Sequence, residues 1–298
     1  MQKNMQRPAE ASGTLTLGGD LNVYRLGFGA MRITGEGIWG PPANKQEAIA
    51  VLRRVPESGI NLIDTADSYG PNVSEKLIAE ALYPYPAGLV IATKGGLLRT
   101  GPGQWPMDGR PQHLREALEG SLKKLRLDCI DIYQFHRPDP HVAFEDSVGE
   151  IARMKAEGKV RHVGLSNVTV EELARAQKIV PIVSVQNHYN LAKRQSERMS
   201  AQQSEEMIDT CAQQGIAFIP WNPLSLGPLA ESGSELDQIA RSHDAQPRQI
   251  AIAWLLQRSR TMLPIPGTST VKHLEENVMG ATIKLTQDEF AAIDRSSK

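Results

Sequence analysis

The sequence predicts a (β/α)8 TIM barrel with an N-terminal β-hairpin capping the barrel bottom, and three observations predict it. Short runs rich in Val, Ile and Leu alternate with longer amphipathic stretches almost to the end of the chain. Eight such pairs within about 270 residues match the arithmetic of an eightfold strand–helix barrel. The opening TLTLGGDLNV differs, with two alternating runs around Gly18-Gly19-Asp20 that read as a hairpin. An open, doubly wound sheet is the alternative that strand number does not separate.

The strands are expected at 25–29, 62–64, 89–93, 129–135, 160–165, 182–186, 217–220 and 262–265. They are short and rich in Val, Ile and Leu, as strands covered on both faces are. Helices are expected at 45–57, 74–82, 111–125, 143–157, 170–177, 205–214 and 248–257. Pro111 suits a first helical position, and Gly59, Gly158 and Gly215 follow their helices as left-handed caps do. No linker, repeat or low-complexity run interrupts the alternation. One domain over 1–298 is therefore expected, with 1–13 as a flexible N-terminus.

Composition narrows the class. Of 298 residues, 40% are hydrophobic and 22% charged, and the net charge is −1. That balance gives no electrostatic footprint for nucleic acid or an anionic membrane. No run of about 20 apolar residues is present to span a bilayer, and MQKNMQRPAEASG lacks the apolar stretch of a secretory signal. Cys129 and Cys211 do not make a disulfide framework. The expectation is a cytoplasmic protein working on small molecules.

In a parallel barrel, chemistry sits on the loops that follow the strands. Those positions hold Asp64 and Tyr69 after the second strand, Lys94 after the third and His136 after the fourth. Ser166-Asn167, Gln186-Asn187, Trp221-Asn222 and 267–270 follow the next four. A tyrosine is a weak acid at neutral pH, and a nearby lysine cation favours its phenolate. An aspartate would pair with that lysine, and a neutral histidine can donate to a carbonyl oxygen. Such a set protonates an oxygen as charge develops on it, with no nucleophile needed. Hydride addition to an aldehyde or ketone from a bound nicotinamide fits that chemistry.

NLIDTADSYG at 61–70, IATKGG at 91–96 and IDIYQFHRPD at 130–139 resemble the catalytic motifs of the aldo-keto reductases. VGLSNV at 163–168, VQNHYN at 185–190 and PIPGTSTVKHLEEN at 264–277 resemble that family's cofactor-binding segments. The resemblance runs in order from about residue 14 to 294. The resemblance implies Tyr69 as general acid, Lys94 as its charged neighbour, Asp64 as the lysine's partner and His136 as the carbonyl-orienting group. It also implies that Ser166, Asn167 and Gln186 hold a nicotinamide carboxamide and that Trp221 stacks on the ring. Many relatives carry tyrosine there, while potassium-channel β subunits are among those with tryptophan.

By the same resemblance, Asn222, Pro223, Leu224, Leu226 and Gly227 follow the pyrophosphate. Ile265, Gly267, Ser269, His273, Glu276 and Asn277 take the adenosine end, where a helix start near Val271 suits a phosphate. Gly29 and Met31 join the cofactor set, and Asp64 counts in it as well. The resemblance favours NADP(H) over NAD(H), since the family mostly uses it; Lys272 and His273 are nearby, and Glu275 and Glu276 count against it. The implied activity is reversible reduction of aldehydes and ketones to alcohols. A nicotinamide-binding, redox-sensing regulatory subunit is the alternative from another class, and a metal-dependent hydrolase a third.

Plainer readings accompany each residue. Asp64 and Lys94 also read as a structural ion pair, Tyr69 as a turn residue, Ser166-Asn167 as a helix cap, and Trp221 as packing. Trp105 lies in LLRTGPGQWPMDG, a long Gly/Pro-rich segment after the third strand, and such loops are often functional. Trp105 is therefore a candidate substrate wall beside Tyr69 and His136, with Met31 and Trp39 from the first loop. GEGIWG at 35–40 matches a dinucleotide fingerprint, but Pro41-Pro42 follow it where a helix should open, so it reads as a loop. HRPDPH offers His136, Asp139 and His141, yet Pro138 and Pro140 break any regular face, and no metal is expected. KKLRLD at 123–128 reads as a solvated helix end.

Overall fold

In the computed structural model, which describes residues 7–296, the chain opens with a 3-10 turn, Pro8–Ser12. Ala9 is fully buried and its N–H donates to the Ser58 carbonyl at 3.1 Å. Residues 8–12 are thus fixed against the end of a helix, which corrects the flexible N-terminus expected over 1–13. The remainder of that expectation, at 1–6, lies outside the described residues.

Strands β1 (Thr14–Leu17) and β2 (Leu21–Tyr24) pair antiparallel, with Leu17 opposite Leu21 and Thr14 opposite Tyr24. Alternation puts Leu17, Leu21 and Val23 on one face. They pack with Leu62, Val90, Ile132, Val183, Ala217, Ile219 and Leu263 in an inner apolar cluster. The ends of the hairpin are anchored by polar contacts. Asn61 accepts from the Tyr24 N–H at 2.8 Å, and Asp20 meets Arg161 at 2.8 Å and His162 at 2.6 Å. These partners lie at strand starts, so the hairpin closes the barrel's N-terminal end.

Seven parallel strands follow in sequential order: β3 (Phe28–Gly29), β4 (Leu62–Asp64), β5 (Val90–Gly95), β6 (Ile130–Phe135), β7 (Val160–Ser166), β8 (Ile182–His188) and β9 (Ala217–Trp221). The eighth barrel strand expected at 262–265 does not form a ladder. Its backbone still closes the circle: Leu263 N–H donates to Phe218 at 2.9 Å, Phe218 N–H to Thr261 at 3.0 Å, and Gly27 N–H to Pro264 at 3.0 Å. Pro264 and Pro266 have no N–H to give, so the segment makes single bonds instead of a run. The first strand is likewise shorter than 25–29.

Helices α1 (Lys45–Glu57), α2 (Val73–Leu82), α3 (Pro111–Leu125), α4 (Phe144–Ala156), α5 (Val170–Gln177) and α6 (Ala201–Gln214) lie between strands. After β9 come α7 (Glu235–Ser242), α8 (Pro247–Arg258), α9 (Val271–Met279) and α10 (Gln287–Ser296). Helix α6 starts four residues before the expected 205, because Ser200 and Gln203 form a capping box. Gly59, Gly158 and Gly215 all take positive φ, as their capping role requires. Helix α8 is buried almost all round. Its Trp254 stacks between Tyr189 and Phe290, with ring centroids at 6.1 and 5.7 Å. Each large apolar side chain so buried contributes about 1.5–3 kcal/mol. Among the described residues, no helix is long and apolar enough to cross a membrane.

Candidate functional site

Four titratable side chains converge at the C-terminal ends of β4, β5 and β6. Asp64 ends β4, Lys94 is the penultimate residue of β5, and His136 directly follows β6. Tyr69 sits in the loop after β4. That loop is wound tightly: Tyr69 N–H donates to Ala66, and the N–H groups of Val73 and Ser74 both donate to the Tyr69 carbonyl. The turn signal in DSYGPN thus marks the very loop that presents the phenol.

Lys94 is fully buried. Its Nζ lies 2.5 Å from Asp64 Oδ1, 2.9 Å from the Thr65 carbonyl and 3.4 Å from the Tyr69 hydroxyl. The second carboxylate oxygen, Asp64 Oδ2, accepts from the side-chain amides of Gln134 and Gln186, each at 2.8 Å. Both carboxylate oxygens are thus hydrogen-bonded, which a buried ion pair needs if it is to be stable. Around Tyr69, the His136 ring stands edge-on at 6.0 Å and the Trp105 ring at 6.4 Å.

Gln134 was not among the expected site residues. A signal for it exists: in IDIYQF the inward positions of β6 are Ile130, Ile132 and Gln134, and Gln134 pairs with Lys94 across the ladder. A lone amide in an apolar inward row asks for a partner.

Burial sets the electrostatics. The Tyr69 phenol is pushed above its ordinary value of 10.0 by burial; Lys94 pulls it down, and Asp64 pushes it back up. The net lowering expected from the lysine is therefore not realised, because burial outweighs the ammonium and the Asp64 charge adds to burial. Burial also lowers Lys94, but Asp64 and Tyr69 outweigh it, and the ammonium ends above 10.5. His136 is held well below 6.5 by burial, then by Lys94 and Arg137, so its ring is neutral at pH 7. His136 Nδ1 is buried with no hydrogen-bond partner among the described residues.

The residues expected at a nicotinamide gather beside this centre. Asn167, in left-handed backbone (φ 58°), donates to the His136 carbonyl at 3.0 Å and accepts from Trp221 Nε1 at 3.1 Å. Ser166 Oγ donates to the Gln186 carbonyl at 2.8 Å. Trp221, at the end of β9, packs its ring against His188, with centroids 4.4 Å apart. Gln186 differs from expectation, since its amide nitrogen is committed to Asp64.

A cavity of about 660 Å³ lies next along the rim. Its lining includes Leu224, Leu226, Gly227, Gly267, Thr268, His273 and Asn277, all within the expected segments, with Arg248 and Gln246 outside them. Backbones cross closely here: a Cβ on Gly267 would meet the Gly29 carbonyl at 2.4 Å, and one on Gly29 the Ile265 carbonyl at 2.6 Å. Asn222 is exposed and left-handed (φ 57°), Pro223 is buried behind it, and Ser269 is exposed before α9. Asn277 Oδ1 is buried and unpartnered among the described residues. A cavity of this volume, an unpartnered buried amide oxygen at its edge and a flat indole farther along the rim together suit a dinucleotide with an aromatic end.

The remaining candidates separate. Met31 lies in a 3-10 turn, Ala30–Ile33, with its carbonyl accepting from Thr34. Trp39 and Trp105 flank Arg99, at 5.4 and 3.6 Å from its guanidinium carbon. GEGIWG is a loop with a short turn, Glu36–Ile38. Asp139 accepts from the N–H groups of Gly109 and His141, tying two loops together. Lys124 is not solvated as expected: it reaches inward to the fully buried Glu75 at 2.8 Å.

Comparison with known proteins shows the family to which the chain is similar. The model of the Aldo/keto reductase family matches residues 25–298. An uncharacterized oxidoreductase of Schizosaccharomyces pombe is 52% identical over 290 residues, covering 97% of this chain and 92% of that one. Pyridoxine 4-dehydrogenase of Escherichia coli is 41% identical over 295 residues, covering 97% and 99%. Among solved structures, a thermostable aldo-keto reductase in complex with the inhibitor epalrestat superposes with a TM-score of 0.81. It is 30% identical and is covered over 99% of its length, with 95% of this chain.

Proposed function

The chain belongs to the aldo/keto reductase family, and from that premise we propose that it reversibly reduces aldehydes or ketones to alcohols, as one barrel domain in the cytoplasm. The observation that carries the reading is the position of the Lys94 ammonium, 2.5 Å from Asp64 and 3.4 Å from the Tyr69 hydroxyl. In this reading Tyr69 donates its proton to the carbonyl oxygen as negative charge develops there. Lys94 stabilises the phenolate left behind, and Asp64 with its two glutamines keeps that lysine charged and fixed. Neutral His136 donates a hydrogen bond that orients the carbonyl. When bound, a reduced nicotinamide dinucleotide supplies the hydride that these side chains cannot.

Asn167, Ser166 and Gln186 would hold the carboxamide, Trp221 the ring, and the 660 Å³ cavity the remainder. NADPH is preferred in this reading because both acids near the adenosine end are already paired. Glu275 meets Arg54 at 2.9 Å, and Glu276 lies 3.8 Å from Arg248 and 4.0 Å from Lys272. Arg54 thus neutralises Glu275, and two cations, Arg248 and Lys272, face the single carboxylate of Glu276, an excess of positive charge that favours an extra phosphate. The name of the 41% identical relative makes pyridoxal and pyridoxine the first pair to try.

The test is NADPH consumption with an aldehyde and ketone panel that includes pyridoxal. Tyr69→Phe is expected to keep NADPH binding and lose roughly 10²–10⁴-fold in kcat. An unchanged kcat would sink the acid assignment. Single-turnover oxidation without multiple turnover would point instead to a redox-sensing subunit.

A further inference from the structure

Arg99 has no part in the proton transfer or the cofactor contacts described above. It lies on a short hairpin in the loop after β5, where Leu97 bridges Met107, Gly101 bridges Gln104, and Leu98 N–H donates to Pro106 at 2.8 Å. Its guanidinium spends its donors on backbone carbonyls of three different loops. One nitrogen, Nη1, reaches Ile38 at 2.6 Å and Ser68 at 3.1 Å. The other, Nη2, reaches Gly37 at 3.0 Å, and Nε reaches Gln104 at 3.1 Å.

The same planar group lies 3.6 Å from the centre of the Trp105 ring and 5.4 Å from that of Trp39. The Trp105 ring and the Trp39 backbone both adjoin the acid's loop. Trp105 stands edge-on to Tyr69 at 6.4 Å, and Trp39 bridges Gly70, the residue after Tyr69. Ser68, whose carbonyl Arg99 holds, directly precedes Tyr69. All the acceptors named here are neutral, so an arginine is held for the shape of its fork and its stacking face more than for an ion pair. A lysine offers neither.

We propose that Arg99 is a positioning residue that fixes Trp105 and Trp39 as a rigid aromatic wall beside Tyr69, and so selects flat, conjugated carbonyl substrates over small aliphatic ones. This rests on the reductase reading above and names the substrate class for the same site. A wall assembled before the substrate arrives saves the ordering cost that a mobile loop would pay at binding. Stacking between aromatic faces then discriminates in favour of a planar ring.

The experiment compares the wild-type protein with Arg99→Lys and with Trp105→Leu, which removes the wall itself. The readout is the ratio of kcat/KM for benzaldehyde to kcat/KM for propanal, with NADPH. Both variants are expected to lower that ratio roughly tenfold, while NADPH affinity stays unchanged. A ratio that stays put in both variants overturns the proposal, as does a loss shared equally by the two aldehydes. Binding of benzoate and acetate to the free proteins, read by tryptophan fluorescence, provides a measure that needs no turnover. If the wild-type protein reduces neither aldehyde, the reductase reading fails. A benzoate preference lost in both variants would still uphold the wall, and no such preference in the wild-type protein overturns it.

Discussion

Gln186 donates its side-chain amide to Asp64 Oδ2 at 2.8 Å, on the same oxygen that Gln134 holds at 2.8 Å. Both glutamines are buried, and their amide groups also lie 3.4 Å apart. The carboxylate that fixes Lys94 is thus itself fixed from two strands, β6 and β8. One of these glutamines is expected to face a ligand as well, and the other is not. Gln134→Leu removes a hydrogen bond to a buried charge and should lower the unfolding free energy by about 1.5–3 kcal/mol, with the Kd for NADPH unchanged. Gln186→Leu should lower stability similarly and also weaken NADPH, roughly tenfold for one lost hydrogen bond. Denaturant unfolding and a fluorescence titration read the two effects separately; identical behaviour of the two variants would remove Gln186 from the cofactor set.

The pH dependence of turnover follows from the directions of two shifts. Burial raises the Tyr69 phenol above 10.0, so it remains a proton donor throughout the neutral range. Burial lowers His136 well below 6.5, so it remains neutral over the same range. With both groups in their working states, kcat for carbonyl reduction should be level from pH 6.5 to 10 and fall only above it. Alcohol oxidation, which needs the phenolate, should still be rising at pH 10. A falling limb for reduction centred near pH 8 would show that the lysine charge dominates the phenol after all.

Much of this site is legible because strand ends announce themselves. Asp64, Lys94, Ser166 and Trp221 each stand where an apolar run stops, and a parallel barrel puts such positions on one rim. Helices α1, α3 and α5 are equally legible, since periodicity and caps agree over their whole length. What stayed hidden depends on contacts far apart in sequence. Gln134 looks like a polar interruption until the ladder places it beside Lys94. Arg99 looks like one more loop cation, because backbone carbonyls of residues 37, 38 and 68 leave no trace in the sequence. The eighth strand is overpredicted for a local reason: LPIPG is apolar enough to read as a strand, yet its prolines remove half the donors a ladder needs. Helices α7 and α10 fall outside the strand–helix alternation, since no strand directly follows either of them, and the pattern does not announce them.

Behind the site, a second set of charges offers a test in stability. Glu75, in the first turn of α2, is fully buried, accepts from the Thr93 hydroxyl at 2.7 Å and meets Lys124 at 2.8 Å. Lys124 also donates to the Asn72 side chain at 2.7 Å. Nearby Asp67 keeps part of its surface in solvent, but its Oδ1 is buried and unpartnered among the described residues. Burial, with the Glu75 charge adding to it against Lys124, pushes this carboxyl from 3.8 up to about 7. The folded chain therefore keeps a proton that the unfolded chain gives up between these values. For a folded pKa above the unfolded one, the stabilisation is complete below pH 3.8 and is lost as pH rises through about 7. Asp67→Asn replaces the carboxyl by a group that never ionises. Its stability relative to wild type should thus improve as pH is raised from 5 to 8, with the melting temperature moving by about 2–4 °C for each kcal/mol gained. Melting curves at the two pH values measure it, and a difference between variant and wild type that does not change with pH would mean that Asp67 titrates like an exposed acid.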